Sequence, residues 1–520
     1  MRTETPKTDW FIFTTTFVLL VVTVSALLVA PSASQNAIKG MLSYITSELG
    51  LVFIWFGIAV LLFLLFVALS PIGGIKLGLP NDRPDHSKLS WVAMLFSTGI
   101  GTTILYWGAI EWIEYYLTPP YEMPPRSEDA LKWSTPYGMF HWGIIGWALY
   151  CFPAVCLGYA YHVHQGESLN LSTACRPILG GGKKNISARM VDVLFMVGLL
   201  GSSATGIGLT TPLITESFCK FFGVSHSVWL TMGAVGLVLV VIVLSVYAGL
   251  ENGIRKLSNL NMILLVLLLM LIVVFGPTKY IFSQGAKNGW FMLTHLAEMG
   301  GVYYPLQNKA FTESWTVFYW AWWLSLGPFV GMFICKISRG RTLRQLILSV
   351  LFFGTLGCTI CVAILSGFSM FLEQEQGMAI IDSFEKNKHS VVIQIITSLP
   401  LGDWILPLFF LLCISFAATT YDSASYTLAA AATMSLKPKA HPARWHRVTW
   451  AILLGSLPLS LLLLGQLAGN GEQVNTLLLL QTASVVVSIP ILFIGVLMIV
   501  SFFILLRKRK LAMLAARIND

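Results

Sequence analysis

Aromatic residues crowd two short stretches of this chain in a pattern that could hold a cation. One reads His141-Trp142-Gly-Ile-Ile-Gly-Trp147-Ala-Leu-Tyr150, the other Tyr319-Trp320-Ala-Trp322-Trp323. Trp142 and Trp147 are five apart and Trp147 and Tyr150 three apart, so much of one helical face is aromatic. Ring faces attract cations through their quadrupole. Several together can enclose a quaternary ammonium, which has a diffuse charge, a methyl surface and no proton to donate. Ordinary core packing is the other use of such rings. His162 and His164 with Glu167 invite a metal reading, but two histidines at i,i+2 cannot share a helical face, and no third ligand stands at a familiar spacing. Cys358 and Cys361 form a CxxC inside an apolar run, where thiols act as small hydrophobes. Glu111 and Asp422 fall in apolar stretches, where a charge is costly and usually functional. Glu111, near a stretch end, could gate, attract a cation or simply be solvated. Asp422 is read as tying helices together. No HExxH, Walker A or GxSxG is present, so neither an enzyme nor ATP-driven transport is expected.

These residues must be positioned by a membrane protein. Of 520 residues, 56% are hydrophobic and 11% charged, with a mean hydropathy of +0.75; a soluble protein carries about 25% charge. The net charge of +9 is what cytoplasmic loops collect, so nucleic acid is not expected as a partner. Twelve apolar stretches are long enough to cross a bilayer, among them Ser90–Trp112 (third), Tyr137–Tyr159 (fourth), Leu257–Pro277 (seventh), Trp315–Lys336 (eighth) and Trp404–Met434 (tenth). With the N-terminus inside, 24 of the 33 Lys and Arg residues fall in inner segments, Lys183, Lys184, Lys437 and Lys439 among them, so both termini are expected in the cytoplasm. The short ends leave no long sensing tail, and Arg507-Lys-Arg-Lys510 reads as a topological stop. Glycines interrupt the third span at Gly99-Ile-Gly101 and the eighth at Gly327-Pro328. Breaks at matching places in two five-helix units of opposite topology are a mark of secondary transporters, although Gly-x-Gly also serves helix packing. The expected division is residues 1–89 with two helices, 90–277 and 315–506 as five-helix repeats, 278–314 as an outer loop with an amphipathic helix, and 507–520 as a basic tail.

The segment Tyr319-Trp-Ala-Trp-Trp-Leu-Ser-Leu-Gly-Pro-Phe-Val-Gly-Met332, followed by Ile337-Ser-Arg-Gly-Arg-Thr342, resembles the signature of the betaine/carnitine/choline transporter (BCCT) family. Gly99-Ile-Gly101, Tyr106-Trp-Gly-Ala-Ile-Glu-Trp112 and the Trp142/Trp147/Tyr150 set resemble it in order and spacing. The resemblance implies an all-α integral membrane protein of twelve transmembrane helices, a LeuT-type 5+5 inverted repeat preceded by two extra helices, forming a homotrimer in a bacterial-type inner membrane. It implies transport of trimethylammonium compounds such as carnitine, glycine betaine and choline, with Trp142, Trp147, Tyr150 and Trp323 boxing the ammonium. Gly99 and Gly101 would face the other end of the substrate, and Trp322 and Leu326, a position often aromatic in the family, would line the cytoplasmic pathway. Glu111 and Tyr106 would serve gating or secondary contacts. Sodium-coupled members place the ion near hydroxyls of the tenth span, here Phe416, Thr419 and Thr420. Sodium-independent exchangers carry an arginine where this chain has Asn261, which favours cation-coupled symport. Thr211-Pro-Leu-Ile-Thr-Glu216 resembles the exchanger branch and leaves carnitine/butyrobetaine exchange as the alternative, while Glu114 stands where exchangers tend to have tyrosine. No cofactor is expected beyond a coupling sodium ion.

Overall fold

The computed structural model describes residues 7–519 apart from 165, 167, 181–184, 249, 302–308, 435–440 and 468–475. Glu167 and the loop lysines Lys183, Lys184, Lys437 and Lys439 lie outside the described residues. The described chain is helical, joined by two isolated bridges, Thr8 with Thr433 and Lys76 with Thr342. In order the helices are α1 (Trp10–Val29), α2 (Pro31–Glu48), α3 (Gly50–Leu69), α4 (Lys88–Gly99), α5 (Thr103–Leu117), α6 (Glu128–His141) and α7 (Ile144–Gly158). Then come α8 (Arg176–Leu179), α9 (Ile186–Phe222), α10 (Val228–Ala248), α11 (Leu250–Phe275), α12 (Thr278–Thr294), α13 (Leu296–Met299) and α14 (Lys309–Phe311). The last are α15 (Phe318–Ile337), α16 (Leu343–Gln374), α17 (Ile380–Lys386), α18 (Lys388–Thr397), α19 (Gly402–Ala431), α20 (Arg444–Leu467) and α21 (Thr476–Asn519).

Eleven helical stretches among the described residues are long and apolar enough to cross a membrane. Two, containing α7 and α15, are 94% and 89% buried over their apolar windows, whereas those of α1, α10 and α11 are 22–28% buried. The outer helices present Val22, Val240 and Ile263 outward, as a lipid-facing surface requires. The stretch Ser90–Trp112 is not among the eleven because it is divided. α4 ends at Gly99, Ile100 is extended (φ −123°, ψ 123°) and α5 begins at Thr103. The break expected at Gly99-Ile-Gly101 is present.

The break expected in the eighth span is not. α15 runs through Gly327-Pro328 without interruption, and its glycines serve contact instead. A Cβ at Gly327 would lie 2.7 Å from the Leu149 carbonyl oxygen, and one at Gly331 2.6 Å from Pro153 Cβ. Their absence lets α15 lie directly on α7. The second discontinuity falls in the fourth span, where α6 gives way to α7 across Trp142 and Gly143. A Cβ at Gly143 would sit 2.9 Å from the carbonyl oxygens of Met139 and Phe140, so the turn is built for glycine.

Three elements fill in the sequence outline. The segment after α1 forms a helix of its own, α2. The amphipathic helix fills the start of the outer loop, from Thr278 to Thr294, with Phe282, Trp290 and Leu293 exposed and Ile281 and Met292 inward. The basic end is helical, because α21 continues to Asn519.

Candidate functional site

The helix break at Trp142-Gly143 turns Trp142 toward α15, and α7 brings Trp147 and Tyr150 beside it. Trp323 of α15 is the hub. Its ring centroid lies 4.4 Å from Tyr150, 5.8 Å from Trp142 and 5.9 Å from Trp147. Trp142 also meets Trp322 edge-on at 6.1 Å. Glycines make room for these rings. A Cβ at Gly146 would lie 2.6 Å from the Trp323 ring, and one at Gly99 2.5 Å from Trp147 and 3.2 Å from Tyr150.

A cavity of ≈ 70 Å³ opens beside the rings. Its lining combines Trp142, Tyr150, Trp322, Trp323 and Leu326 with Gly99, Gly101, Thr102, Ser202, Thr210 and Thr420. None of the described lining residues is charged. The indole N–H groups of Trp322 and Trp323 are buried without a hydrogen-bond partner. Beside the hydroxyls α5 begins: its Ile104, Leu105 and Tyr106 N–H groups donate to the Gly101 and Thr102 carbonyls, and the helix start carries the positive end of its dipole. The hydroxyls of Thr102 and Thr210 hydrogen-bond to each other there. A zwitterion suits this arrangement, with its cation against ring faces and its anion toward hydroxyls and a helix start.

The residues singled out in the sequence divide into lining and backing. Gly99, Gly101, Trp142, Tyr150, Trp322, Trp323, Leu326 and Thr420 line the cavity. Trp147 stands behind, fully buried, stacked on Phe96 at 6.5 Å and donating its N–H to Cys358 Sγ at 3.4 Å. Phe416 is buried away from the lining. The Thr419 hydroxyl donates to the Ser415 carbonyl (2.8 Å) and accepts from Asn261 Nδ2 (2.9 Å). Tyr106 is buried against Trp107 and His389. Glu111 is not solvated. Helix packing buries it, and Tyr115 (2.7 Å), Trp142 (3.2 Å) and Tyr319 donate to its carboxylate. Asp422 ties helices, accepting from Ser245 of α10 (2.6 Å) and Arg447 of α20 (3.0 Å). Among the described residues no group of three His, Cys, Asp or Glu side chains that could hold a metal occurs, and His162 meets the Cys335 carbonyl at 3.0 Å.

Two features of the site escaped the sequence reading. Ser202, Gly206 and Thr210 recur every four residues on α9, a small and hydroxylated stripe facing the cavity. The four-residue spacing was visible, but membrane hydroxyls commonly bond back to their own helix, as Ser202 does to the Gly198 carbonyl (2.7 Å). Gly143 was the other, one more glycine in a run until the break around it is seen.

A family model for the BCCT, betaine/carnitine/choline family transporter, matches residues 11–511. A carnitine transporter of Acinetobacter baumannii is 27% identical over 488 residues, 94% of this chain and 87% of that protein. The uncharacterized transporter YeaV of Escherichia coli K12 is 31% identical over 402 residues, 77% of this chain and 83% of its own. Among solved structures, MhsT in complex with L-phenylalanine covers 82% of this chain and 97% of its own at 16% identity, with a TM-score of 0.47, too loose a likeness to carry the repeat assignment.

Proposed function

The chain belongs to the betaine/carnitine/choline family of membrane transporters, and from that membership we propose that it moves trimethylammonium compounds of the carnitine and glycine betaine class by alternating access, coupled to sodium. The observation that carries this reading is the ring cluster around Trp323, set against a cavity whose described lining is uncharged and includes hydroxyls and a helix start. The ammonium sits among Trp142, Tyr150 and Trp323 with Trp147 stiffening them from behind. The carboxylate faces Thr102, Thr210 and the first turn of α5. Because this pole recognises an anion, carnitine and glycine betaine bind in preference to choline. The relative named a carnitine transporter supports the same class.

In this reading α4 and α5 cross the bilayer together, making twelve crossings with the other eleven. Five-helix units from α4 and from α15 form a LeuT-type inverted repeat, two helices precede them, and both termini face the cytoplasm of a bacterial-type inner membrane. Copies associate as a homotrimer. Sodium is held by Thr420 and the carbonyls of the Gly99–Gly101 break. One observation favours a second reading, exchange without a coupling ion: the Thr419 hydroxyl is already engaged by Asn261.

The test is uptake of radiolabelled carnitine, glycine betaine and choline into proteoliposomes, with and without an inward sodium gradient, by wild type and Trp323→Leu. Gradient-dependent uptake lost in Trp323→Leu supports symport through the ring cluster. Sodium-free uptake that needs preloaded internal substrate establishes exchange instead, and no movement of any of the three withdraws the substrate class.

A further inference from the structure

The described lining of the cavity is uncharged, yet a carboxylate lies directly behind one of its walls. Glu111 Oε2 accepts the indole N–H of Trp142 at 3.2 Å, and Trp142 is a lining ring. Its other oxygen accepts from Tyr115 (2.7 Å) and Tyr319. Glu111 is 1% exposed, and among the described residues no Lys, Arg or His forms an ion pair with it. The nearest titratable base is His141, one residue removed. The Tyr115 hydroxyl spends its proton on Glu111, so at His141 Nδ1 (2.8 Å) it accepts, and Thr316 at Nε2 (3.0 Å) can donate. That network is satisfied by a neutral imidazole with its proton on Nδ1.

A buried carboxylate is tolerated when it is hydrogen-bonded and paired with a positive charge. The hydrogen bonds are present; the described residues supply no ion-pair partner. Resting on the reading that the cavity takes a quaternary ammonium, we propose that Glu111 is a positioning residue for substrate whose counter-charge is the substrate's own ammonium. It fixes the Trp142 ring through the indole N–H and sets a negative charge behind that ring. Accepting from the N–H pushes electron density into the indole, which strengthens the face that meets the cation. The charge itself acts through rings rather than water, where Coulomb attraction is weakly screened. A glutamine could accept from Trp142, but its amide N–H groups would meet the donors Tyr115 and Tyr319, and it would carry no charge.

The experiment measures binding to the purified full-length protein by calorimetry, using carnitine and its uncharged isostere with a tert-butyl group in place of the trimethylammonium. Wild type prefers the charged ligand. Glu111→Gln should lose about tenfold or more in affinity for carnitine, which corresponds to the charge term alone, and keep its affinity for the isostere. Glu111→Asp should recover part of the preference. Equal losses for the two ligands mean a purely structural role and overturn the proposal, as does wild-type carnitine affinity in Glu111→Gln. Trp142→Phe keeps the ring and the carboxylate but removes the tether, so it tests the same claim if Glu111→Gln does not fold. Its preference for charge should fall, and an unchanged preference overturns the positioning role. If wild type itself binds no trimethylammonium compound, the transport reading fails together with this one; normal wild-type binding with no selective loss in the variants sinks only the role of Glu111.

Discussion

At the scale of single residues, the rings are held by what is missing beside them. Gly99 touches both Trp147 and Tyr150 through the space where a Cβ would be, and Gly146 does the same for Trp323. Gly99→Ala should therefore displace two rings and lower carnitine affinity about tenfold while the protein still reaches the membrane, a result that binding and surface-expression assays would separate. Wild-type affinity would mean that the break relaxes to accept the methyl. The buried pair Asp422–Arg447, 1% and 2% exposed, makes a second case. Arg447→Met alone leaves an unpaired buried carboxylate and should cost about 3–5 kcal/mol, read as a lower thermal unfolding midpoint, whereas adding Asp422→Asn should restore much of it. Residue types announced the rings and the two buried acids in the sequence, because a tryptophan cluster or an acid in an apolar run is rare and visible. What Glu111 does was not legible. Its three donors come from α5, from the turn at Trp142 and from α15, and only folding brings them together.

At the scale of elements, sequence spacing located the break in the third span and misplaced the other. Gly327-Pro328 looked like an interruption, yet helix contact explains the glycines of α15, and the fourth span breaks at an inconspicuous Trp-Gly. A glycine's role depends on which backbone lies against it, which no single sequence states. The short helices α17 and α18 were equally hidden, having too little apolar length to register as spans. They form a cap fastened at three points: Arg126 to Glu385 (2.6 Å), Lys388 to Glu114 (2.5 Å) and Asn387 to Glu216 (3.2 Å). Glu114 and Glu216 are the two positions at odds with one another in the family comparison of the sequence, and here they hold the same cap. Exposed pairs of this kind add little stability, about 0–1 kcal/mol each, so Lys388→Ala should leave the melting point almost unchanged and instead speed reaction of a cysteine placed at Tyr106 with a polar thiol reagent. An unaltered labelling rate would show the cap to be static. His389 adds a pH dependence. Burial, helped by His226 and Lys388, pushes its ring down to about 4, and Glu114 and Tyr106 are the other titratable groups beside it. Opening the cap returns the ring toward the ordinary 6.5. The closed cap thus binds the proton less well, and its stability is lost as pH falls below about 6.5 toward 4. Measured relative to a free thiol at the same pH, which cancels the change in thiolate fraction, the same cysteine should label faster at pH 5 than at pH 7.5, and His389→Gln should remove that difference.

At the scale of the whole molecule, α19 joins two such closures. Its 30 residues span about 45 Å, with the cap at its first turn and the chain's N-terminal segment at its last. There the Asp9 N–H donates to the Ala432 carbonyl and the Met434 N–H to the Lys7 carbonyl, both at 2.8 Å, around the bridge of Thr8 with Thr433. Asp9 then pairs with Arg189 of α9 at 3.0 Å, so a few residues before α1 hold the ends of α9 and α19 together. On the chain's basic loops, Asp82 meets Arg339 at 3.0 Å. The Leu79 N–H and Arg339 hold its carboxyl below the ordinary 3.8, so that tie persists above about pH 4 and loosens only as pH falls further. Mild acid should then act on the cap and leave the opposite face closed. The proposed alternating access would require these two faces to open in turn, and α9 and α19, which both line the cavity, would have to move for the N-terminal face to do so. Antiparallel bridged residues stand about 4.5–5.5 Å apart at Cα, within disulfide range. Thr8→Cys with Thr433→Cys should cross-link on oxidation, abolish net uptake into proteoliposomes, keep carnitine binding from the cap side, and recover uptake on reduction. A cross-linked protein that turns over at the wild-type rate would place the moving parts elsewhere and reduce the N-terminal segment to a fixed brace.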